Sequence, residues 1–346
     1  MLSGRAALLG GLTASVGMAL SWAARPPAPT ATLCAVGDVL LARGVGRRIE
    51  RYGTDWPFER VAPWLRATDL AFANMECALT TRGAAVPKPF VFRGDPGSAR
   101  GLRDAGIDVV SLANNHTLDY GRTGLADTMD ALRVAGVGWV GAGATLRAAR
   151  RPLVRRVGAL RVGFVAMSDF VPEGVFPRQD RESVARASER AVREAVVAAR
   201  RAADVAVVSL HWGVEFRGRP SARQVALARA AAAGGADLVL GHHPHVLQPL
   251  EWLPGRGGRR TLAAYSLGNF VFDPRGAAAS RTVILRCRLG RDGVESASVL
   301  PVLLRDCRPT PATGAGAQAI LRRVAKLSAE RGTRVVVGGG IGVVAR

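Results

Sequence analysis

Lysine is nearly absent from this chain of 346 residues: Lys88 and Lys326 are the only two, and all its other basic residues are arginine. Aromatic residues are also scarce, at 5%. The 48 basic residues outnumber the 27 acidic ones, and the net charge of +21 favours an anionic polymer or a membrane surface as partner. The codon bias of a genome rich in G and C would produce the same arginine content. Because the arginines are dispersed and few rings could stack on bases, we expect no nucleic acid partner.

Other absences narrow the class of protein. No Cys-x-x-Cys pair occurs, which argues against a thiolate zinc site, and we expect four free, mostly buried thiols at Cys34, Cys77, Cys287 and Cys307. The 41 glycines have no three-residue period and no heptad pattern is sustained, which excludes collagen and coiled coil. With 48% hydrophobic residues, the chain can bury a core in one large domain or two small ones.

The N-terminus has the composition of a targeting segment. Arg5 precedes an uncharged, largely apolar run over residues 6–24 that includes small residues at Ser21 and Ala23, and prolines begin at Pro26. We assign residues 1–30 to a signal peptide or an N-terminal membrane anchor, since the run is also long enough to span a bilayer, which needs roughly 17–25 residues. The protein is therefore expected to be exported and extracytoplasmic, either secreted or membrane-anchored. A buried N-terminal helix is the remaining alternative.

From residue 32 onward, short apolar runs alternate with amphipathic segments, as in an α/β protein with a mostly parallel sheet. We predict helices over residues 57–66, 96–105, 124–135, 181–203, 221–233 and 317–331. Predicted strands cover residues 32–36, 70–73, 108–112, 138–140, 204–210 and 237–240, with β-hairpins within residues 153–166 and 250–304. Because residues 309–316 have the composition of a linker, we divide the chain after its N-terminal segment into a domain over residues 31–305 and a C-terminal linker and helix extension over residues 306–346.

The polar residues that could carry chemistry gather where predicted strands end. They are Asp38, Asn74, Glu76, Asn114, Asn115 and all five histidines of the chain, His116, His211, His242, His243 and His245. In open α/β sheets, ligands bind outside the carboxyl ends of the strands. Five segments would therefore bring carboxylate, amide and imidazole groups into one crevice. This donor set suits Mn²⁺, Fe or Zn²⁺ better than Ca²⁺.

Taken singly, most of these residues have ordinary structural explanations, such as a turn at a strand exit, a helix cap or a buried core histidine. The firmest metal-binding pattern is His243-Pro244-His245. Alternation along an extended chain sends both imidazoles the same way, and Pro244 stiffens the spacing. The same alternation predicts that the ring of His242 turns to the other side.

Six motifs, in order, resemble the CapA family, which is linked to capsule synthesis and typically to poly-γ-glutamate. They are Gly37-Asp38, Asn74-Met75-Glu76, Asn114-Asn115-His116 with Asp119 and Gly121, His211-Trp212-Gly213, Gly241-His242-His243-Pro244-His245 and Ser266-Leu267-Gly268-Asn269-Phe270. The resemblance spans residues 32–273. Because the family is similar to the calcineurin-like metallophosphoesterases, it implies a four-layer α/β/β/α sandwich with mixed sheets and a dinuclear metal site at the strand ends.

The resemblance also implies roles for individual residues. The implied metal ligands are Asp38, Glu76, Asn115, His211, His243 and His245. His116 would be the general acid, with Asp119 as a second catalytic residue. Candidates to bind an anionic substrate are Asn74, Arg43, Arg93 and Arg217.

Two departures from the superfamily pattern bear on the metal count. Its opening Asp-x-His is replaced here by Asp38 followed by Val39 and Leu40, so that one imidazole is missing. Its Gly-Asp-x-x-Asp is replaced by Asn74-Met75-Glu76. The site could therefore hold one divalent ion or two.

Two functions follow from the resemblance. One is a metal-dependent hydrolase of capsule or poly-γ-glutamate biosynthesis, acting on a phosphoester or on an anionic surface polymer. The other is a non-catalytic accessory factor that binds or exports an anionic polymer. In both cases capsule-synthesis membrane proteins are candidate partners. A metallophosphoesterase that acts on a small nucleotide is a further alternative.

Overall fold

The computed structural model describes residues 28–170, 183–274 and 276–346. The predicted signal or anchor segment therefore lies almost entirely outside the described residues. Within those ranges no helix combines the length and the apolar character needed to cross a bilayer. All four cysteines are free, as predicted, and three of them are buried while Cys307 is partly exposed.

The described residues form twenty strands and eight α-helices. The strands are β1 (Ala31–Val39), β2 (Leu70–Met75), β3 (Ala78–Leu79), β4 (Arg93–Gly94), β5 (Val109–Ser111), β6 (Gly138–Val140), β7 (Ala142–Gly143), β8 (Leu153–Val157), β9 (Leu160–Ser168), β10 (Ser183–Val184), β11 (Val205–His211), β12 (Leu238–His242), β13 (Leu250–Pro254), β14 (Arg260–Ala264), β15 (Asn269–Val271), β16 (Arg281–Gly290), β17 (Gly293–Arg305), β18 (Arg308–Pro311), β19 (Val335–Gly338) and β20 (Ile341–Val344). The helices are α1 (Arg43–Tyr52), α2 (Ala62–Arg66), α3 (Ala99–Asp104), α4 (Gly121–Ala135), α5 (Leu146–Ala149), α6 (Glu189–Ala202), α7 (Ala222–Gly234) and α8 (Gly314–Ala329).

Two large mixed sheets organise the domain. The ten-stranded sheet runs in the order β19-β20-β17-β16-β1-β2-β5-β6, with β15 beside β1 and β18 beside β17. The six-stranded sheet has the order β13-β14-β12-β11-β9-β8. In the six-stranded sheet, antiparallel strands flank the parallel centre on both sides. In the ten-stranded sheet, the antiparallel strands lie only on the β16 side of β1, and the strands from β1 to the edge strand β6 are parallel. Both a βαβ pattern and a hairpin pattern therefore occur in one sequence.

The two sheets face each other across the main hydrophobic core. Phe72 of β2 and Phe164 of β9 stack across this interior, with ring centroids 5.7 Å apart. Helices α6 and α7 cover the outer face of the six-stranded sheet with a separate cluster that includes Val196 and Leu227. Leu65 of α2 and Leu125 of α4 belong to the core that the ten-stranded sheet shares. This arrangement confirms the four-layer α/β/β/α sandwich.

Some predicted element bounds need correction. The helix predicted from residue 57 begins at Ala62. The one predicted from residue 181 begins at Glu189, because the Ser188 hydroxyl accepts a hydrogen bond from the Ala191 N–H and caps the helix there. Before that cap, Ser183–Val184 pairs with β7; residues 181–182 are outside the described ranges.

The C-terminal segment is more ordered than its composition predicts. Residues 308–311, expected in a linker, form β18 against β17, and α8 already begins at Gly314. The hairpin of β19 and β20 was not predicted and extends the ten-stranded sheet. Helix α8 contacts β13 of one sheet and β17 of the other, and the Ser328 hydroxyl accepts a 3.0 Å hydrogen bond from the Leu250 N–H. This segment is therefore part of the packed sandwich.

A close backbone approach fixes the end of β1. The carbonyl of Gly268 accepts a 3.0 Å hydrogen bond from the Asp38 N–H, and a Cβ atom on Gly37 would lie only 1.8 Å from that carbonyl oxygen. Glycine is therefore required at position 37. The contact brings β15 beside β1, with Asn269 in register with Asp38.

Candidate metal centre

The candidate site lies where parallel strands of both sheets end. Register places Asp38 of β1 beside Asn74 of β2, and His211 of β11 beside His242 of β12. Parallel strands present their carboxyl ends at one edge, so side chains from distant parts of the sequence meet there. Glu76 follows β2 and is fully buried at the same edge.

Two overlapping groups of potential ligands share Glu76. Asp38, Glu76 and His211 each offer one ligand atom, and these atoms lie within 4.8 Å of one another. Glu76, His243 and His245 form a second group that meets the same limit. The structure thus brings together five of the six predicted ligands in these groups, and a carboxylate common to both is suited to bridge two ions.

The sixth predicted ligand, Asn115, lies at the same place. Its Oδ1 is 2.9 Å from Nε2 of His211. Oε1 of Glu76 is buried and has no hydrogen-bond partner among the described residues. Such an unpaired carboxylate oxygen among imidazoles is costly unless a cation satisfies it, and mixed N and O donors suit a divalent transition metal.

The side chain of Asn74 contacts three of the proposed ligands. Its Nδ2 donates to Oδ1 of Asp38 at 2.9 Å, and lies 3.4 Å from Oε2 of Glu76 and 3.3 Å from Nδ1 of His211. Its Oδ1 accepts from Nδ2 of Asn114 at 3.2 Å. We predicted that Asn74 binds substrate, but it is fully buried behind the ligands, so its position favours an orienting role instead.

His243 and His245 converge by a route that the sequence did not predict. Their ring centroids are 5.8 Å apart, but their φ angles are +95° and +57°, so neither residue has the extended backbone assumed from alternation. Left-handed conformations are unfavourable for residues with a Cβ atom and persist where surrounding contacts hold them. Asn269 supplies one such contact, since its Oδ1 is 2.8 Å from Nδ1 of His245. The Phe216 N–H donates to the Pro244 carbonyl at 2.8 Å and supplies another.

The prediction for the ring of His242 was wrong. Because His242 is the last residue of β12 and lies in register with His211, its side chain points between the sheets, as that of His211 does. Its Nδ1 is 3.4 Å from Oδ1 of Asp38, and in the part of the chain that the structure describes neither ring nitrogen has a well-aligned hydrogen-bond partner. His242 thus faces the metal-site carboxylate.

The charges of this buried cluster depend on one another. Burial opposes charge on Asp38, yet the nearby imidazoles of His242 and His245, at 3.4 and 3.3 Å from its oxygens, outweigh it and hold the pKa of Asp38 well below its usual value. Burial, reinforced by the charge of Asp38, raises the pKa of Glu76 well above its usual value. Burial lowers the pKa of His243 to about 3, whereas for His245 the carboxylates of Glu76 and Asp38 overcome burial and raise the pKa to about 9. A bound cation would neutralise the buried carboxylates, which are otherwise neutralised by protons.

Beside the ligands, His116 is held by two other buried groups. Its Nδ1 is 2.8 Å from Oδ2 of Asp119, whose other oxygen lies 2.5 Å from Nζ of Lys88. The Phe92 N–H also donates to Asp119, and the Phe92 ring stacks on the imidazole with centroids 4.0 Å apart. Burial lowers the pKa of His116 against the opposing effect of Asp119. These contacts fix both the orientation and the tautomer of His116.

Lys88 was missed by the sequence analysis. Its side chain is only 6% exposed, and its Nζ donates to the Asn115 carbonyl at 2.7 Å as well as pairing with Asp119. A buried lysine normally needs such partners. The available signal was compositional, because lysine is so rare in this chain that a lysine near the motifs was noteworthy.

The three predicted substrate-binding arginines lie in different places. Arg43 lines the cleft above the ligands and forms a 3.2 Å ion pair with Asp273. Arg93 packs elsewhere, with its guanidinium over the Tyr120 ring and a 2.9 Å hydrogen bond to the Gly83 carbonyl. Arg217 lines a neighbouring pocket. Only Arg43 is therefore brought to the cleft itself.

The cleft also has aromatic walls. His116 and His245 lie at its base, and Phe90 and Phe216, each 55% exposed, line it. Phe216 has a φ angle of +60°, which the hydrogen bond to Pro244 helps to hold. The base of the cleft is therefore polar and its rim is partly apolar.

The fold is that of metallophosphoesterase-like phosphatases and nucleotidases. A phosphatase from Mycoplasma pneumoniae superposes with a TM-score of 0.50 at 13% identity, covering 80% of this chain and 94% of that one. A 5′-nucleotidase precursor from Thermus thermophilus also gives a TM-score of 0.50, at 12% identity, covering 85% of this chain and 58% of that one. At these identities the similarity concerns the fold.

Sequence comparison identifies the family. Residues 32–274 match the family described as bacterial capsule synthesis protein PGA_cap, and the chain belongs to that family. The capsule biosynthesis protein CapA of Bacillus anthracis is 31% identical, covering 82% of this chain and 70% of that protein. The PGA biosynthesis protein CapA of Bacillus subtilis is 32% identical, with coverage of 80% and 72%. A probable polyglutamine synthesis accessory protein of Mycobacterium tuberculosis is 33% identical, with coverage of 87% and 84%.

Proposed function

We propose that this protein is an exported, divalent-metal-dependent hydrolase of capsule or poly-γ-glutamate biosynthesis, acting on a phosphoester or on an anionic surface polymer. The observation that carries the proposal is the pair of ligand groups that share Glu76, set at the base of a cleft beside His116. Family membership supports the biosynthetic setting. Export rests on the sequence of residues 6–24, and capsule-synthesis membrane proteins remain proposed partners.

The proposed cofactor is Mn²⁺, Fe or Zn²⁺, as one ion or two. The residues that would hold it are Asp38, Glu76, Asn115, His211, His243 and His245. When bound, such an ion supplies Lewis-acid chemistry, activating water and polarising the group under attack. The unpaired oxygen of Glu76 and the imidazole-rich surroundings fit this assignment.

The protein's own residues position substrate and move a proton. Asp119 engages Nδ1 of His116, so the imidazolium form of His116 would donate its Nε2 proton to the leaving oxygen and become the neutral imidazole. Lys88 offsets the buried charge of Asp119 and keeps its carboxylate in place. Arg43, at the cleft, would attract an anionic substrate group.

One observation favours the accessory, non-catalytic alternative. Val39 and Leu40, which follow Asp38 where the superfamily has a histidine ligand, are both fully buried hydrophobic residues. A site short of one ligand binds metal less tightly, and polymer binding would not require turnover. The relative from Mycobacterium tuberculosis bears the word accessory in its name.

A combined measurement separates the two functions. The full chain, purified without chelators, is analysed for bound metal and assayed on phosphodiesters and on poly-γ-glutamate, with His116→Ala as the matched variant. Metal at one or two ions per chain and cleavage that the variant loses would support the hydrolase. A protein that lacks metal but binds poly-γ-glutamate normally would support the accessory factor.

A further inference from the structure

A second pocket lies beside the metal cleft, between the loop after β11 and helix α8. It has a volume of about 440 Å³, and four basic side chains line it: Arg217, Arg219, Arg323 and Lys326. Resting on the proposed function, we propose that this basic pocket is a second subsite that binds carboxylates of a polyglutamate chain engaged at the metal cleft.

The loop after β11 connects the metal cleft with the basic pocket. It starts at the proposed ligand His211; Glu215 and Phe216 line the cleft, and Arg217 and Arg219 line the basic pocket. A chain that follows this loop passes from one place to the other. The geometry thus suits a polymer with many anionic groups better than a small substrate.

Buried amides build the loop rigidly. Gln248, only 1% exposed, donates from Nε2 to the carbonyl of Arg217 at 2.8 Å and to that of Arg219 at 3.3 Å. Its own Oε1 accepts from Nε2 of Gln224 at 2.8 Å. The backbone that carries the two arginines is therefore held from inside the protein, and a preorganised site loses less entropy on binding.

The pocket has surplus positive charge. Its one acidic residue is Glu330, which Arg219 engages through both carboxylate oxygens at 2.8 and 3.0 Å. Among the described residues, no acidic side chain forms an ion pair with Arg217, Arg323 or Lys326. The pKa of Glu330 is lowered first by Arg219 and further by Lys326 and Arg323. All three cations are therefore close enough to stabilise the same negative charge.

The loop and the helix approach closely enough to act together. A Cβ atom placed on Gly218 would lie 2.5 Å from Nη2 of Arg323. The guanidinium of α8 therefore rests on the loop next to Arg217. Arginines grouped in this way match the geometry of carboxylates.

The test is equilibrium binding of poly-γ-glutamate of defined length to the full chain at fixed ionic strength. The pocket variant is Arg323→Gln/Lys326→Gln. The control is Arg322→Gln/Arg334→Gln, which removes the same charge from exposed side chains outside the pocket. We expect the pocket variant to raise Kd by about fivefold to twentyfold and the control to change it by less than about twofold.

Two outcomes would overturn the subsite. One is equal weakening in the pocket variant and the control, which would mean that net charge alone attracts the polymer. The other is a Kd difference between the pocket variant and the control that is seen with inorganic polyphosphate but not with poly-γ-glutamate. That result would exclude carboxylates as the groups that the pocket binds. All proteins are compared in a His116→Ala background, which should abolish nearly all turnover, so that failure of the proposed hydrolase activity would leave this result interpretable.

Discussion

The Nδ1 atom of His242 lies 3.4 Å from Oδ1 of Asp38, and both side chains are fully buried between the two sheets. Asp38 is the proposed ligand that, in the superfamily pattern, would be followed two residues later by a histidine; Leu40 stands there instead. An imidazole from the opposite sheet therefore stands beside the carboxylate. This contact helps to keep Asp38 ionised, and we expect it to orient the carboxylate for the proposed metal.

We expect His242→Ala to lower metal affinity by about 10–100-fold, because partners that orient a ligand typically have effects of this size. Isothermal titration with Mn²⁺ and with Zn²⁺ measures the change. Ser209→Ala is the matched control, since Ser209 is buried on the face of β11 that carries His211 and its hydroxyl has no hydrogen-bond partner within the described ranges. Unchanged affinity in His242→Ala would show that the contact does not affect the ligand.

Without the imidazole of His243 or of His245, added metal should no longer stabilise the folded protein. Added Mn²⁺ or Zn²⁺ should raise the melting temperature of the wild type. At a metal concentration of a hundred times Kd, the free energy of unfolding should increase by about 2.7 kcal/mol. The same addition should have little effect on His243→Ala or His245→Ala. Thermal unfolding with and without metal tests this expectation, and a full metal response in both variants would remove these residues from the ligand set.

The proton donor should be separable from the metal ligands. His116→Ala is expected to retain its metal while turnover falls by about 10²–10⁴-fold, because a general acid contributes this much. The loss should be smaller on aryl esters, whose leaving groups need no proton, than on alkyl esters. Metal analysis and the two substrate series provide the measurement; metal loss as complete as in His243→Ala would contradict the division of roles.

The same substrate series tests Lys88 as a positioning residue. Lys88→Met should reproduce the selective loss on alkyl esters, because Asp119 no longer holds His116 correctly. Removing one partner of a buried ion pair costs about 3–5 kcal/mol, so Lys88→Met/Asp119→Asn provides a variant without the unpaired charge. Equal losses on aryl and alkyl esters in both variants would mean that Lys88 serves the fold alone.

Metal affinity should increase with pH through the neutral range. The pKa of His245 is raised to about 9, so the metal-free site carries a proton there at pH 7, and a cation must displace it. Each unit of pH below about 9 should therefore weaken binding by up to tenfold for this one proton. Titrations at pH 6, 7 and 8 measure the slope, and a flat profile would contradict a protonated His245. His243, with a pKa of about 3, should release no proton in this range.

The composition of the candidate centre could be predicted because it depends on a general property of parallel sheets. Asp38, Glu76 and His211 each follow a recognisable apolar strand, and such ends converge. The backbone of His243 and His245 could not be predicted, because their left-handed conformations result from contacts with Asn269 and with the neighbouring loop. Local alternation is a poor guide once the strand has ended.

Contacts between distant segments explain the other differences. The direction of the His242 ring depends on its register with His211, which is set by how β11 and β12 pair. Lys88 reaches Asp119 from an irregular segment with no periodic pattern. The hairpin of β19 and β20 owes its place to the exposed edge of β17, a feature that only the assembled sheet possesses.

The position of β1 in the sheet has a consequence for folding of the chain during its synthesis on the ribosome. Ala31, the first residue of β1, pairs with Leu289 of β16. The first strand to be synthesised therefore has no partner on this side until β16 has been made. During synthesis β1 remains an apolar edge without its neighbour β16, and such an edge invites association between unfinished chains. Long-range pairing of this kind also makes folding slow. A nascent or truncated chain that ends before β16 should therefore depend on chaperones to stay soluble.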